Sequence, residues 1–475
     1  MSIKVRFAPS PTGYLHVGGL RTALYNYLYA KKVNGKIILR IEDTDQSRMV
    51  ENAFEKLVNS FDQLSITFDE GPKIKGHNNL YFQSNRLSIY NSEIKKLIDK
   101  KYAYPCFCTS DRLDKLRKQL IEDKKTIKYD RHCLQLTDKQ IIMKMEEHPY
   151  VIRMKIPSKG EVSFYDVVRE KVSINCSEID DQILIKSDGF PTYHFANVVD
   201  DYLMGITHVI RGEEWLPSTP KHVLLYEYFN WKLPKFIHLP LLLNPDKSKL
   251  SKRQGDVAVE SYLKKGYLSE AIINFVALLG WHPKSDQEIF SIQDLEKQFS
   301  IKKIQKSGAV FDLEKLKWMN SQYLMTLPIK EIAKRAKPFF DKNEFDLSNN
   351  EKYLKVIDNA RNRVNTLSEM PKECIMFYKI MQLENEDKKL INSEDSKALL
   401  SIILKSIKLK TDINGDQFKK LLMEIGKLQN ISGKKLFFPI RVALYGQSKG
   451  PDIPLIFSIL GYKEVINRLE KSIND

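Results

Sequence analysis

A glycine-containing turn near the start of the chain combines features that suit phosphate binding. Residues 9–19 follow an apolar strand pattern and lead into a helical pattern, so backbone N–H groups and the positive end of a helix dipole face the turn. Gly18 and Gly19 let a nucleotide approach the backbone without meeting a Cβ. His16 can donate a hydrogen bond to a phosphate oxygen. The alternative for this segment alone is an ordinary strand-to-helix turn with a surface histidine.

A short basic segment far downstream can act on the same phosphates. Lys249 and Lys252 stand three residues apart, with Arg253 beside the second lysine, on a stretch predicted to be a loop. A clamp of this kind can stabilise a pyrophosphate leaving group as negative charge moves onto it. A solvated basic surface loop is the alternative, because the chain carries 76 lysines and arginines.

The two motifs together resemble the paired signatures of class I aminoacyl-tRNA synthetases. His16-Val-Gly-Gly19 is similar to the HIGH motif of that family, and Lys249-Leu-Ser-Lys-Arg253 is similar to its KMSKS motif. Gly19 stands where HIGH has its last histidine, which removes one expected phosphate contact. The resemblance implies an ATP-dependent ligase, with Mg²⁺ accompanying ATP and with catalytic roles for His16, Lys249 and Lys252.

Three charged side chains are of the types that a site for an acidic amino acid requires. Glutamate has two carboxylates and one ammonium, so a selective pocket needs two cations and one anion. Arg6 and Arg211 can provide the cations, because a guanidinium fork suits a carboxylate, and Glu42 can bind the ammonium. Tyr193 and Asn197 can add neutral hydrogen bonds. The alternatives are structural: a salt bridge for either arginine, a helix cap for the acidic run around Glu42, and a buried hydroxyl for Tyr193.

Longer blocks around these residues resemble bacterial glutamyl-tRNA synthetases, from about residue 3 to residue 330 and more weakly to the end. The blocks begin at Arg6, Arg40, Tyr81, Tyr193 and Arg211. The resemblance implies that glutamate is contacted by Arg6, Ala8, Ser10, Glu42, Tyr193, Asn197 and Arg211. It implies that ATP is surrounded by Ser10, His16, Gly18, Gly19, Glu214, Trp215, Leu242, Ser251 and Lys252.

The same resemblance implies a two-step reaction. L-glutamate is activated with ATP to glutamyl-adenylate, pyrophosphate is released, and glutamate passes to the 3′-terminal adenosine of tRNA(Glu). One alternative is a paralogue that charges tRNA(Gln) with glutamate, and another is a tRNA-binding or regulatory relative with an inactive site. The presence of Arg6, Glu42, His16, Arg211 and Lys252 argues against the inactive relative.

Three of the five cysteines are spaced as a candidate zinc site. Cys106 and Cys108 are followed by Cys133, and thiolates in a reducing compartment are zinc ligands. Some glutamyl-tRNA synthetases resemble this pattern and have a further ligand where Gln135 stands here. Because glutamine is a poor zinc ligand, the sequence leaves the fourth position open, and we expect Tyr129 or His132 to complete it. The alternative is three reduced cysteines without a metal.

These residues need a scaffold, and the N-terminal pattern predicts one. Apolar segments at residues 3–7 and 36–41 predict strands, and residues 17–32 and 48–64 predict helices, the second with the acidic residues 43–45 as its cap. Alternation of strand and helix is typical of a parallel sheet covered by helices. A ligand is expected at the carboxyl ends of such strands, where residues 8–19 and 42–45 fall.

The fold predicted for the whole chain is α/β: a Rossmann-type parallel sheet with an inserted α+β acceptor-binding domain, a helical stem-contact domain and an all-α anticodon-binding domain. The predicted boundaries are 1–104 and 193–260 for the two halves of the catalytic domain, 105–192 for the insertion, 261–330 for the stem-contact domain and 331–475 for the anticodon-binding domain. Helical periodicity at residues 399–409 and 418–428, without hairpin signals, favours a helical anticodon-binding domain over a β-barrel.

Composition narrows the class of protein. The formal net charge of +16 favours a polyanionic partner such as tRNA, although a lysine-rich composition without such a partner gives the same number. No apolar run reaches the roughly 18 residues of a membrane helix, so we expect no membrane partner. The N-terminus runs directly into a strand pattern, and five cysteines are too few and odd in number for a disulfide framework. We expect a cytoplasmic monomer.

Overall fold

The computed structural model describes residues 2–72, 74, 80–250, 258–343, 345–379, 383–410 and 413–474. Within these ranges the chain forms two compact units. The first contains Met1–Lys264 and Ser269–Leu316, and the second contains Lys265–Leu268 and Lys317–Asp475. None of the helices found in these ranges has the length and apolar character that crossing a lipid bilayer demands.

The strands of the described residues all belong to the first unit. They are β1 (Lys4–Phe7), β2 (Lys36–Leu39), β3 (Ala103–Cys106), β4 (Val151–Met154), β5 (Glu161–Asp166), β6 (Glu170–Asn175), β7 (Ile183–Ile185), β8 (His208–Gly212), β9 (Lys235–Leu239), β10 (Leu242–Leu243) and β11 (Ala309–Val310).

The helices occur in both units, and the boundary between the units falls inside α11. They are α1 (Val17–Lys32), α2 (Ala53–Gln63), α3 (Leu87–Asp99), α4 (Ser110–Glu122), α5 (Asp138–Glu147), α6 (Tyr193–Leu203), α7 (Thr219–Phe229), α8 (Val259–Lys264), α9 (Ser269–Ala277), α10 (Ile292–Gln298), α11 (Leu313–Thr326), α12 (Ile329–Asp341), α13 (Asn350–Ala360), α14 (Met370–Cys374), α15 (Asn385–Ile391), α16 (Glu394–Lys408), α17 (Gly415–Leu428), α18 (Lys434–Tyr445), α19 (Ile453–Leu460) and α20 (Tyr462–Asn474).

Parallel strands form the centre of the first unit. β1 pairs with β2 and β8 pairs with β9, both in parallel. β1 lies beside β8, where the Thr207 backbone N–H donates to the Lys4 carbonyl at 2.9 Å. The carboxyl ends of β1, β2, β8 and β9 therefore meet at one edge, as predicted for a parallel sheet with covering helices.

A hairpin extends this sheet at its far side. β5 pairs with β9 in parallel through Asp166 and Phe236, and then turns into the antiparallel strand β6. β5 and β6 lie inside residues 105–192, the predicted insertion, and yet β5 joins the sheet that carries β8 and β9. The antiparallel sheet β3–β4–β7 is separate from it.

Helix α1 occupies the residues that the sequence predicts. The His16 imidazole caps the helix, because Nδ1 accepts a hydrogen bond from the Gly18 backbone N–H at 3.0 Å. Lys31 and Lys32 lie in the last turn, where cations are stabilised by the helix dipole. Past the helix, a side chain at Gly35 would meet the Ile3 carbonyl, so glycine lets the chain return beside β1.

The predicted helix at residues 48–64 begins later than expected, and the acidic run does not cap it. Helix α2 starts at Ala53, after Asn52 in a left-handed conformation with φ 57°. Asp43 instead accepts hydrogen bonds from the Ser84 backbone N–H and hydroxyl, at 2.8 and 2.6 Å. A partner distant in sequence therefore takes the carboxylate that the local pattern assigned to a cap.

The described part of the second unit contains helices and connecting turns, and no strand. Buried apolar residues recur three and four positions apart on α16 and α17, which gives each helix one apolar face. The side chains of Asn414 and Gln417 form a reciprocal capping box at the start of α17. Both predicted helical segments, 399–409 and 418–428, are confirmed.

Candidate active site

The carboxyl ends of β1 and β2 bring the first predicted binding residues together. The Arg40 backbone N–H donates to the Phe7 carbonyl at 3.0 Å, and the Glu42 backbone N–H donates to the Pro9 carbonyl at 2.9 Å. These two bonds place Glu42 beside the segment that contains Ala8. Ser10 is exposed at the start of the turn.

Arg6 forms an ion pair with one buried acid, Asp201. Its Nε donates to the Asp201 carboxylate at 3.0 Å, and Arg40 donates to the same carboxylate at 2.8 Å. Although burial opposes the shift, the charges of Arg6 and Arg40 lower the pKa of Asp201. Arg6 Nη1 donates to the Ile210 carbonyl at 3.4 Å, and its Nη2 donates to none of the described residues. The salt bridge therefore holds one side of the guanidinium and leaves Nη2 for a ligand.

Glu42 is an acid with an elevated pKa, and 8% of its side-chain surface is exposed. Burial raises the pKa of Glu42 to about 7, against the opposing charges of Arg40 and Arg6. Its carboxylate receives a hydrogen bond from Arg40 Nη2 at 3.4 Å, which is at the long end of the range for such bonds. A ligand ammonium would favour the charged form of this carboxylate.

Arg211 is surrounded by neutral hydrogen-bond acceptors. It lies on β8 with 4% of its surface exposed. Four of its N–H groups are used, by acceptors in four side chains: Nε by His238 (3.1 Å), Nη1 by Tyr193 (3.2 Å) and His222 (3.2 Å), and Nη2 by Thr219 (2.9 Å). In the described part of the chain, no carboxylate lies within ion-pair distance of Arg211. Its charge is therefore not neutralised by direct contact.

Tyr193 and Asn197 add donors beside this guanidinium. They stand four residues apart on α6, so their side chains share one face of the helix. The Tyr193 hydroxyl accepts from Arg211 and keeps its own O–H proton to donate. Burial raises the pKa of Tyr193, and the charges of Arg211, Glu42 and Arg6 also act on its hydroxyl. The buried Asn197 Nδ2 has no acceptor among the described residues.

The predicted phosphate turn lies next to the downstream basic segment. A Cβ built on Gly18 would be 3.9 Å from the Leu242 side chain, and the Leu250 backbone N–H donates to the Leu242 carbonyl at 2.9 Å. Lys249 pairs with Leu243 across this hairpin and is exposed. The structure therefore brings the His16 turn close to the first residues of the basic motif. Ser251, Lys252 and Arg253 lie outside the described residues.

A contact between two aromatic rings joins the two predicted subsites. The Tyr193 and Trp215 rings lie 4.0 Å apart between centroids, which connects a predicted glutamate contact with a predicted ATP contact. Glu214 precedes Trp215 and is exposed, and its carboxylate packs against Gly212, so a Cβ at position 212 would displace that carboxylate. Gly19 allows close packing as well, since a Cβ there would lie 3.3 Å from Leu15.

A separate cluster of thiols lies where β3 ends. The sulfur atoms of Cys106, Cys108 and Cys133 lie within 4.8 Å of one another. The Tyr129 hydroxyl is 3.4 Å from both the Cys106 and the Cys108 sulfur, and it accepts from the Cys133 backbone N–H at 3.0 Å. His132, the other expected ligand, is exposed and is not part of this cluster.

Comparisons with known proteins bear on these observations. A family model described as "tRNA synthetases class I (E and Q), catalytic domain" matches residues 2–318. A second model, described as "Anticodon binding domain", matches residues 331–473. A glutamate–tRNA ligase of Alkaliphilus metalliredigens is 45% identical, covering 99% of this chain and 98% of the relative. The chain belongs to the glutamate–tRNA ligase family. A glutamate–tRNA ligase of Clostridioides difficile is 44% identical, and the match covers 99% of this chain and 98% of that relative.

A solved glutamate–tRNA ligase has the same fold. The crystal structure of the enzyme from Elizabethkingia meningosepticum in complex with its amino acid superposes with a TM-score of 0.93 and 37% identity. The superposition covers 100% of this chain and 99% of the chain in the crystal structure. The α/β class I synthetase fold with a helical anticodon-binding domain, predicted from the sequence, is thus confirmed for this member of the glutamate–tRNA ligase family.

Sequence reasoning missed several residues that surround Arg211 in this glutamate–tRNA ligase family member. The sequence did not predict Thr219, His222 and His238, which contact the guanidinium directly, or Asp166, which contacts His238. They come from β5, α7 and β9, and local sequence does not reveal that β9 pairs with both β8 and β5. A single histidine, His238, between the apolar residues of β9 was the available signal.

Proposed function

We propose that this chain activates L-glutamate with ATP and transfers the glutamyl group to the 3′-terminal adenosine of tRNA(Glu). One observation supports glutamate as the amino acid substrate. Several hydrogen-bond donors near the strand ends have no acceptor among the described residues, and none of the described acids pairs with Arg211. The donors are Arg6 Nη2, the Tyr193 O–H and Asn197 Nδ2. A carboxylate only accepts hydrogen bonds, so it suits this set, while Glu42 suits the ammonium.

In the first step an oxygen of the glutamate α-carboxylate attacks the α-phosphorus of ATP. The new carboxylate–phosphorus bond forms as the bond to the bridging oxygen breaks, and pyrophosphate leaves with the electron pair. The attacking carboxylate is already ionised near pH 7, so the step requires no general base. ATP enters as its Mg²⁺ complex, and the chain contributes positioning and charge stabilisation.

We assign the nucleotide side of this step to the two sequence motifs. His16 and the start of α1 would bind phosphate oxygens through N–H groups at the positive end of the helix dipole. ATP would be enclosed by six residues: Ser10, Gly18, Gly19, Glu214, Trp215 and Leu242. Lys249, Ser251 and Lys252 would stabilise the departing pyrophosphate. In the second step a ribose hydroxyl of the tRNA 3′ end attacks the glutamyl carbonyl, and AMP leaves.

The helical second unit would then hold the tRNA anticodon. The five-part division with boundaries at 104, 192, 260 and 330 remains our proposal for the domains, as do a monomeric state and a cytoplasmic location.

Charging assays test the proposed function directly. Purified protein is incubated with ATP, labelled glutamate or glutamine, and transcripts of tRNA(Glu) or tRNA(Gln). We expect glutamate to be esterified to tRNA(Glu), and no glutamine to be esterified to either tRNA. Glutamate transfer to tRNA(Gln) alone would identify the paralogue instead, and no transfer with any pair would refute the proposal.

We also propose that Cys106, Cys108, Cys133 and Tyr129 hold a structural zinc ion. Ligand atoms arranged tetrahedrally around Zn²⁺ lie roughly 3.5–3.8 Å apart, given Zn–S bonds of about 2.3 Å. The Cys108 and Cys133 sulfurs are 3.6 Å apart, and the Tyr129 oxygen is 3.4 Å from two sulfurs, so the residues fit such an ion. Hydrogen bonds from Cys133 and Tyr129 hold the pKa of the Cys106 thiol below its usual range, which favours a thiolate ligand.

Metal analysis tests the zinc site. We expect about one equivalent of zinc per chain after purification without chelators, because four ligands close the coordination shell. The Cys133→Ser variant should lose the metal, while Cys176→Ser, which changes a buried cysteine outside the cluster, should keep it. Equal zinc content in both variants, or none in the unmodified chain, would contradict the assignment.

A further inference from the structure

Asp166 has every acceptor position of its carboxylate occupied from within the chain. Its Oδ1 accepts from the backbone N–H groups of Val168 and Arg169, at 2.9 and 2.8 Å. Its Oδ2 accepts from the His238 backbone N–H at 3.1 Å and lies 2.7 Å from His238 Nδ1. The side chains of Asp166 and His238 are both fully buried. The carboxylate is thus held rigidly against one edge of the imidazole.

The contact on the other edge of His238 fixes its proton. Arg211 Nε lies 3.1 Å from His238 Nε2, and a guanidinium nitrogen can only donate. His238 Nε2 must therefore present a lone pair, which leaves the proton on Nδ1, pointing at Asp166. Burial lowers the pKa of His238 to about 4, although the hydrogen bond to Asp166 opposes the shift, so the imidazole is neutral at pH 7.

We propose that Asp166 is a positioning residue for glutamate recognition, which it supports by holding His238 in the tautomer that orients Arg211. The inference rests on the proposed contact between Arg211 and the substrate carboxylate. The chain of contacts runs from Asp166 through the His238 ring to Arg211 Nε. It determines the plane in which the guanidinium presents its remaining N–H group.

The indirect arrangement has a physical advantage over a direct ion pair. An acid in contact with Arg211 would orient the guanidinium equally well, but it would compete with the substrate carboxylate for the same positive charge. A neutral imidazole between them orients the guanidinium and leaves its charge for the substrate. His222 acts similarly on the opposite side, since its Nδ1 accepts from Arg211 Nη1 and its Nε2 faces His194 Nδ1 at 3.1 Å.

Replacing Asp166 with asparagine should reverse the tautomer. Asparagine has one oxygen, which the N–H groups of Val168 and Arg169 require, so its amide nitrogen would face His238 Nδ1 and also the His238 backbone N–H, which would lose its acceptor. His238 Nδ1 would then have to accept, and its proton would move to Nε2. The imidazole N–H would point at the Arg211 Nε–H, so two donors would oppose each other, while Thr219 Oγ1, 3.2 Å from His238 Nε2, already accepts from Arg211 Nη2. We expect the KM for glutamate to rise about 10- to 100-fold, the scale of one hydrogen bond to a buried cation, and the KM for ATP to stay within about twofold.

A second substitution should rescue the first. The Oε1 of glutamine in His238→Gln can accept from Arg211 Nε without help from Asp166, because a side-chain amide has no tautomer to reverse. The double variant with Asp166→Asn and His238→Gln should therefore bind glutamate better than Asp166→Asn alone, by at least about fivefold. A purely structural role predicts the opposite, since two core changes should destabilise the fold more than one. Steady-state charging of tRNA(Glu) and thermal unfolding of all three variants measure both quantities.

The outcomes separate this inference from the proposed function. If Arg211→Lys raises the glutamate KM but Asp166→Asn does not, the positioning role is refuted and the proposed function stands. If Arg211→Lys has no effect on glutamate, the proposed function itself loses its support. A double variant that is worse than both single variants overturns the positioning role.

Two variants of His238 keep the test decisive if the Asp166→Asn variant does not fold. His238→Gln retains an acceptor for Arg211 Nε, whereas His238→Leu has a similar volume and no acceptor. Only His238→Leu should raise the glutamate KM, and equal KM values for the two variants would refute the role of His238.

Discussion

Replacing Arg211 with lysine should raise the KM for glutamate about 100-fold or more and leave the KM for ATP nearly unchanged. Lysine keeps the charge but has one compact ammonium, which cannot serve four acceptors and a substrate carboxylate at once. Loss of one partner from a buried charged pair costs about 2–5 kcal/mol, which is the basis of the expected change. Initial rates of tRNA(Glu) charging, with each substrate varied in turn, give both KM values.

Arg86 provides a matched control for this prediction. It is also a buried arginine of the first unit, but its Nε pairs with Asp200 at 2.8 Å, so its charge is already neutralised. Arg86→Lys should lower the melting temperature and change the glutamate and ATP KM values together. If Arg211→Lys behaved in the same way, with no preference for glutamate, Arg211 would be a structural residue.

The Glu42→Gln variant should lose about 100-fold in kcat/KM for glutamate and should also lose the pH dependence of that constant. Burial raises the pKa of Glu42 to about 7, so the free carboxyl is ionised above that pH and neutral below it. Only the ionised form attracts the substrate ammonium. In the unmodified chain kcat/KM for glutamate should therefore fall about tenfold per pH unit below pH 7 and level off above it.

The measurement uses charging rates from pH 5.5 to 8.5 at constant ionic strength, with ATP and tRNA saturating. Glu70 is the control, because Lys4 and Tyr81 donate to its carboxylate and, against the effect of burial, hold its pKa below the ordinary value. Glu70→Gln should keep the pH profile of the unmodified chain. A profile that persists in Glu42→Gln would assign the titration to another group.

Local sequence predicted those parts of the fold whose causes are local. Helix α1 follows the prediction to the residue, because its cap at His16, its largely buried body and its end shortly before Gly35 all lie within one segment. The start of α2 was wrong, since Asp43 is bound by Ser84 and the backbone at Asn52 is left-handed. A distant partner can outcompete a nearby cap, and no periodicity reveals it.

The residues of the candidate site also divide into those that local sequence indicates and those that depend on distant partners. Motif resemblance named Arg6 and Arg211, but it could not distinguish an arginine tied to an acid from one that is not. Arg6 shares Asp201, 195 residues away, whereas Arg211 touches none of the described acids. The pairing of β5 with β9 also places Asp166 behind His238, and a parallel pairing between distant segments leaves no signal in either one. Sequence thus named the groups that we propose to touch a ligand, and it did not name the groups that orient Arg211.

The absence of a described acid beside Arg211 has a consequence for amino acid discrimination. Glutamine has nearly the same shape as glutamate, so steric exclusion cannot separate the two. Its side-chain amide would turn an NH₂ group toward donors such as the Tyr193 O–H and Asn197 Nδ2, and it would leave the buried positive charge uncompensated. We therefore expect the pocket to reject the isosteric neutral amino acid through charge, with no need for a separate proofreading step.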